Sequence, residues 1–180
     1  MKSIILSMFL IGLRSLALGE IPSTQGVTYI SPMVGLYTGS GTLLQRITFD
    51  IEFGRQWDVF SLGIDIGKNH LGQKQGRDTT SYAEIRPSLN VFQQGKFTNT
   101  LTIGLGYIVG ADENILSEFS TGIEFTPNRR FSYNIFFGTY YYSGVRSSSS
   151  QNFVGFSMMY FSSPHHHTNG LLNPSSKTKG

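Results

Sequence analysis

The chain has no cysteine among its 180 residues, so neither a disulfide framework nor a thiolate metal site is available to it. Charge is scarce too: 14% of residues are Asp, Glu, Lys or Arg, where about 25% is usual for a soluble domain. Hydrophobic residues stand at an ordinary 39%, so polar surface has to come from uncharged Ser, Thr, Asn, Gln and Gly. Long apolar runs are missing as well. The most continuous stretch, Ile4 to Leu13, is too short to cross a bilayer as a helix, which takes about 20 residues. A helical membrane protein and a disulfide-stapled secreted domain are therefore excluded.

The net charge of +3 would suggest an anionic partner, but the surplus is misplaced for that. Lys2 and Arg14 lie in the N-terminal stretch, and Lys177 and Lys179 lie at the C-terminal end. Between Gly26 and Ser162 the bases and acids balance, so nothing points to nucleic acid. Residues 1–19 read as a secretory signal peptide, with Lys2 in the n-region, the Ile4–Leu13 apolar stretch, and Ala17 and Gly19 at the small-residue positions before a cut. Residues 20–25 are then a leader, 26–162 a single domain, and 163–180 a flexible tail containing Pro164, Asn169, Gly170, Asn173 and Pro174.

From Gly26 onward the dominant period is two, which is the mark of strands with unlike faces. Eight such segments can be read. Ile47, Phe49, Ile51 and Phe53 alternate with Arg46, Thr48, Asp50, Glu52 and Gly54; Phe60, Leu62, Ile64 and Ile66 alternate with Ser61, Gly63, Asp65 and Gly67. The pattern returns around Ala83–Val91, Phe97–Val109, Ile115–Phe125, Phe131–Tyr141 and Val154–Tyr160, and is weakest in the first segment, where Pro32 interrupts the ladder.

A soluble sandwich or lipocalin-like barrel would bury the apolar face, whereas a membrane barrel would turn it to lipid. Several segments run ten residues or more, near the 9–11 that a tilted strand needs to cross a bilayer and beyond the usual 5–6 of a soluble strand. The connections agree. With eight strands and the N-terminus inside, odd connections are external and longer. Lys68–Thr80 and Ser143–Asn152 are long and odd, while Gly54–Trp57, Gln93–Lys96 and Thr126–Arg130 are short and even; the first and fifth, near Gly39–Gly41 and Gly110–Asn114, also read as short. The expectation is an all-β fold, an eight-stranded antiparallel transmembrane up-and-down barrel.

On that reading the lumen receives Arg46, Asp50, Glu52, Asp65, Glu84, Arg86, Glu118 and Glu124. An eight-stranded lumen is just wide enough for side chains to fill, and isolated charges there are costly, so both arginines are expected to pair with carboxylates. Such a set could form a narrow cation-preferring or proton-coupled path, or a stabilising network that plugs the barrel; the expectation is the plug. Tyr29, Tyr37, Trp57, Tyr107, Phe125, Tyr141, Tyr142, Tyr160 and Phe161, near strand ends, are candidates for interfacial aromatic girdles. His165, His166 and His167 sit in the tail without an acid or cysteine after them, so no metal and no cofactor is expected.

These features resemble the small outer-membrane barrels of the OmpA-domain and OmpX kind. In that family the last strand carries a mark read by the barrel-assembly machinery, and Gly155, Met158 and Tyr160 fit it, while Phe153 and the residues after Phe161 depart from it. The resemblance implies a bacterial outer-membrane location, contact with lipid and lipopolysaccharide, insertion by the assembly machinery, a monomer, and a structural or interaction role rather than an enzymatic one; a narrow transport channel is the alternative. A more local stretch, His166-His167-Thr168-Asn169-Gly170 with Asn173-Pro174 downstream, is similar to the His-x-Ser-Asn segment of outer-membrane lipid A deacylases of the PagL kind. That likeness would make His166 the base, Thr168 the nucleophile and Asn169 an oxyanion-hole contributor. Against it, Thr replaces Ser, no acidic residue follows Glu124, and by strand parity the segment falls on the periplasmic side, away from the outer leaflet where that chemistry happens.

Overall fold

A computed structural model of the chain describes residues 26–38, 46–69, 80–109, 114–145 and 148–163. Eight strands close into one barrel in simple sequence order: β1 (Val27–Tyr37), β2 (Ile47–Trp57), β3 (Phe60–Asn69), β4 (Thr80–Gln94), β5 (Phe97–Val109), β6 (Ile115–Phe125), β7 (Phe131–Ser143) and β8 (Ser148–Phe161). Every neighbouring pair is antiparallel, and β1 pairs with both β2 and β8, which closes the ring. Full closure leaves no sheet edge exposed.

The two faces of the wall differ sharply in exposure. Phe49 is 72% exposed, Leu105 63% and Ile135 61%, whereas Asp65 is 0% and Glu84 and Glu118 are 2%. Large apolar residues crowd the outer wall, while the charged residues of β2, β3, β4 and β6 turn inward beside a set of buried aromatic side chains, the reverse of a soluble barrel. Inward glycines make this possible in so narrow a lumen. A methyl group at Gly104 would stand 2.6 Å from Glu84 Oε2, and one at Gly63 or Gly155 would collide with the Glu52 carboxylate or the Phe136 ring.

Two ends are distinguishable. At the turn end, Asp58–Val59, Gly95–Lys96 and residues 126–130 join the strands tightly. Gly95 has φ of +62°, which a two-residue hairpin turn of this kind demands and a residue without Cβ supplies at no steric cost. The loop end carries residues 38–46, 70–79, 110–114 and 144–147.

Three connections differ from the sequence expectation. Gly54–Trp57 belongs to β2, the first connection is longer than the Gly39–Gly41 signature implies, and the seventh is short. In the last case Ser148–Gln151 extend β8 and pair with Tyr140–Ser143. Four serines in a row show no alternation of polarity, so a period-two reading stops before them although the backbone ladder continues.

Both strand prolines leave a mark on the ladder. Between β1 and β8 the register runs from Ile30↔Tyr160 to Met33↔Ser157 with Ser31 and Pro32 unpaired on that side. Between β4 and β5 it runs from Ile85↔Leu105 to Ser88↔Thr102 with Arg86 and Pro87 skipped. Proline has no N–H to donate, so each ladder is interrupted toward one neighbour while the other, β2 or β3, stays paired. β4 also carries a bulge between Asn90 and Phe92.

Candidate functional site: the barrel lumen

At the middle of the lumen Arg86 is the hub. Its row on β4 places Tyr82, Glu84, Arg86 and Asn90 inward, all buried. Nη1 donates to Glu52 Oε2 at 2.7 Å, Nη2 donates to Glu118 Oε1 at 3.0 Å, and Nε stands 2.8 Å from Glu118 Oε2 and 3.4 Å from Glu84 Oε1. β2, β4 and β6 thus each contribute a carboxylate to one guanidinium. The planar fork of arginine suits this, because its donors point in several fixed directions at once. Phe136 lies under the guanidinium, 5.8 Å from ring centre to Cζ, and Met33 Sδ is 3.1 Å from Nη1.

Apart from Glu84, whose oxygens accept no hydrogen bond among the described residues, the carboxylates are held in turn. Tyr29 donates to Glu52, and Ser120 donates to the Glu118 oxygen that Arg86 also binds. Tyr82 donates to Asp65 Oδ2 at 2.8 Å, and Thr48 donates to Asp50 Oδ2 at 3.3 Å. Glu124 accepts from Ser132 near the turn end, with Thr126 a longer contact at 3.4 Å. Six acids therefore line the lumen, and Arg86 makes ion pairs with three of them, Glu52, Glu84 and Glu118. Arg46, the second inward arginine of the sequence pattern, lies immediately before β2 and takes no part in the three ion pairs of Arg86. It stands at the loop end of β2, whereas Glu52, Glu84 and Glu118 converge on Arg86 further along the barrel. The acids do not gather into a metal-holding group among the described residues.

Above and below the hub the lumen differs. Toward the loop end it is filled by Tyr37, Ile108, Leu116, Tyr140, Tyr142 and Phe153. Tyr140 and Phe153 stack at 4.4 Å, and Tyr37 meets Tyr140 at 5.7 Å. Toward the turn end the lining is polar, with Ser31, Gln56, Thr100, Thr102 and Ser157 around a cavity of about 40 Å³, room for roughly three waters.

The girdle candidates divide. Trp57, Tyr107, Phe125, Tyr141 and Tyr160 are on the outer wall, but Tyr29, Tyr37, Tyr142 and Phe161 point into the lumen and are buried. Strand alternation is the reason: Tyr141 and Tyr142, or Tyr160 and Phe161, are neighbours and cannot share a face. The aromatic plug was legible only in part, through Phe136 and Tyr140, which break the polar row of β7. His166, Thr168 and Asn169 lie outside the described residues, as do His165 and His167.

No family model and no curated protein matches the sequence. Solved structures do resemble the fold. A de novo designed transmembrane β-barrel superposes with a TM-score of 0.52 at 14% identity, over 78% of this chain and 99% of that one. Neisserial surface protein A gives 0.55 at 9% identity, over 75% of this chain and 96% of its own. The N-terminal barrel domain of Pseudomonas aeruginosa OprF gives 0.52 at 11%, over 76% and 100%. At these identities the shared property is the fold, an eight-stranded antiparallel up-and-down barrel.

Proposed function

We propose that this chain is a bacterial outer-membrane barrel with a structural or interaction role, and that its lumen is plugged. The observation that carries the reading is the inverted wall. A half-exposed Ile or Phe forfeits on the order of 1 kcal/mol of burial in water. Summed over residues such as Phe49, Ile64, Ile85, Phe119, Ile123 and Phe137 on all sides of the barrel, this rivals the roughly 5–15 kcal/mol by which a domain is stable. Lipid removes that cost. The lumen argues for a plug over a pore, because the stacked aromatics of the loop half and the Arg86 cluster lie in series across it.

The exposed rows fit direct contact with lipid, and the loop end would meet lipopolysaccharide. The outward Met158 and Tyr160 with the inward Gly155 suit recognition of β8 by the assembly machinery during insertion. Fractionation and heat-modifiable migration on detergent gels test the location: the protein should be recovered in outer membranes and migrate differently unboiled. A soluble periplasmic protein would overturn the reading. In planar bilayers the purified barrel should conduct no ions; steps of conductance abolished by Asp50→Asn or Glu84→Gln would replace the plug with a channel.

A further inference from the structure

The outer wall at the turn end repeats a small arrangement three times. Trp57 and Phe60 stack across β2 and β3 at 5.8 Å, and tilted pairs meet as Phe97 and Phe125 across β5 and β6 at 5.1 Å and as Phe131 and Tyr160 across β7 and β8 at 5.2 Å. Each pair has a cation beside it. Arg55 lies on the outward row of β2 between Phe53 and Trp57, with its guanidinium 5.8 Å from the indole. Lys96 adjoins Phe97 and donates to the Pro127 carbonyl at 3.3 Å, and Arg130 adjoins Phe131 and reaches the Tyr160 hydroxyl at 3.4 Å. Arg129 stands exposed in the same turn as Arg130. All four cations are exposed, and among the described residues of this rim only Asp58 opposes them, since Glu124 is buried inside.

The lumen does not need this collar, because none of the four contributes to the Arg86 cluster. Nor does solubility explain it. Arg55 is placed on the lipid-facing row, where a charge is costly unless its head reaches the headgroup layer along its aliphatic stem. Aromatic rings settle at that same layer, so each pair marks the depth at which its cation ends.

We propose that the turn-end collar binds the phosphates of anionic phospholipids, with the acyl chains lying on the apolar wall above it. This rests on the membrane reading given above. A net-negative headgroup such as phosphatidylglycerol is preferred, because a zwitterionic one carries its own ammonium, which competes for the phosphate. A cation near an anionic headgroup is worth about a fivefold preference.

The chain's single tryptophan makes the test local, since Trp57 lies within the collar beside Arg55. The full chain is reconstituted in phosphatidylcholine bilayers with increasing fractions of brominated phosphatidylglycerol or brominated phosphatidylcholine, and Trp57 quenching gives relative binding constants. The expected result is about a fivefold preference for phosphatidylglycerol in low salt. It should approach unity at 1 M salt, where the screening length is about 3 Å. Arg55→Gln should abolish it, Arg55→Lys should retain it, and Lys68→Gln, exposed at the loop end of β3 and outside the collar, should leave it unchanged at Trp57. Equal quenching by the two lipids, a preference indifferent to salt, or one that survives Arg55→Gln would overturn the proposal. Absence of quenching by either lipid would instead remove the membrane reading, and the collar proposal with it.

Discussion

Replacing Arg86 by methionine should unfold this barrel more readily than any other single change in the lumen. Methionine keeps an unbranched stem of similar reach, so the substitution removes charge while leaving little cavity. What it leaves behind is Glu52, Glu84 and Glu118, formerly 2.7 to 3.4 Å from one guanidinium and all buried. Stripping one partner from a buried ion pair costs about 3–5 kcal/mol, because the remaining charge has neither water nor a counter-ion. With a urea dependence of roughly 2 kcal/mol per molar, the unfolding midpoint in lipid vesicles should fall by about 2 M. Two companions locate the cause. Arg86→Lys should recover only part of the loss, since an ammonium cannot span the three directions that the fork covers. Arg86→Met combined with Glu52→Gln and Glu118→Gln should recover most of it, because neutralising a whole buried cluster removes the uncompensated charge. The single variant's deficit should also shrink at pH 3, below the ordinary carboxylate range. An Arg86→Met protein within about 0.5 kcal/mol of the parent at pH 7 would refute the hub, since that is the scale of a surface substitution.

Other consequences are as direct. Cysteines at Ile51 and Asp50, adjacent on β2, should separate cleanly: Ile51→Cys should react with a membrane-partitioned maleimide and resist a charged one, while Asp50→Cys should resist both. Ile64→Arg, on the outer row of β3, should cost about 2–4 kcal/mol in a bilayer, against at most 0.5 on a wetted surface, as chemical denaturation in vesicles would measure. Gly104→Val should destabilise by about 1–3 kcal/mol or prevent closure, because its side chain would enter the space of Glu84 and Glu118; a variant with unchanged heat-modifiability and midpoint would contradict the packing described. Tyr29→Phe removes a donor from Glu52 and should lower stability by about 1–3 kcal/mol in the same assay.

The wall was readable from the residues because it obeys a period of two, and period two survives uncertainty about boundaries. Ile47, Phe49, Ile51 and Phe53 lie on one face wherever β2 begins, and so do Asp50 and Glu52 on the other. The interior was less readable for a physical reason. Alternation says that Arg86 and Arg46 both face inward, but not that Arg86 alone stands at the height where β2, β4 and β6 bring their carboxylates. Depth along the axis depends on stagger between strands, which the register sets and a single strand does not reveal. The same ignorance of depth hid the aromatic plug: Tyr37, Tyr82, Tyr140 and Phe153 come from four strands and become one layer only when the ring is closed. The polar extension of β8 escaped notice because serine carries no hydrophobic contrast from which a face could be assigned.

The two proline gaps stand at the β8–β1 and β4–β5 junctions, four strands apart on either way around a ring of eight. Each gap takes the ladder away from one short stretch, and pairing resumes on both sides of it. Arg86 sits at one of them. Beside Pro87 on β4, where the β4–β5 ladder is interrupted, its guanidinium grips Glu52 on β2 and Glu118 on β6, so side chains in the lumen join strands on both sides of a junction whose backbone bonds are locally missing.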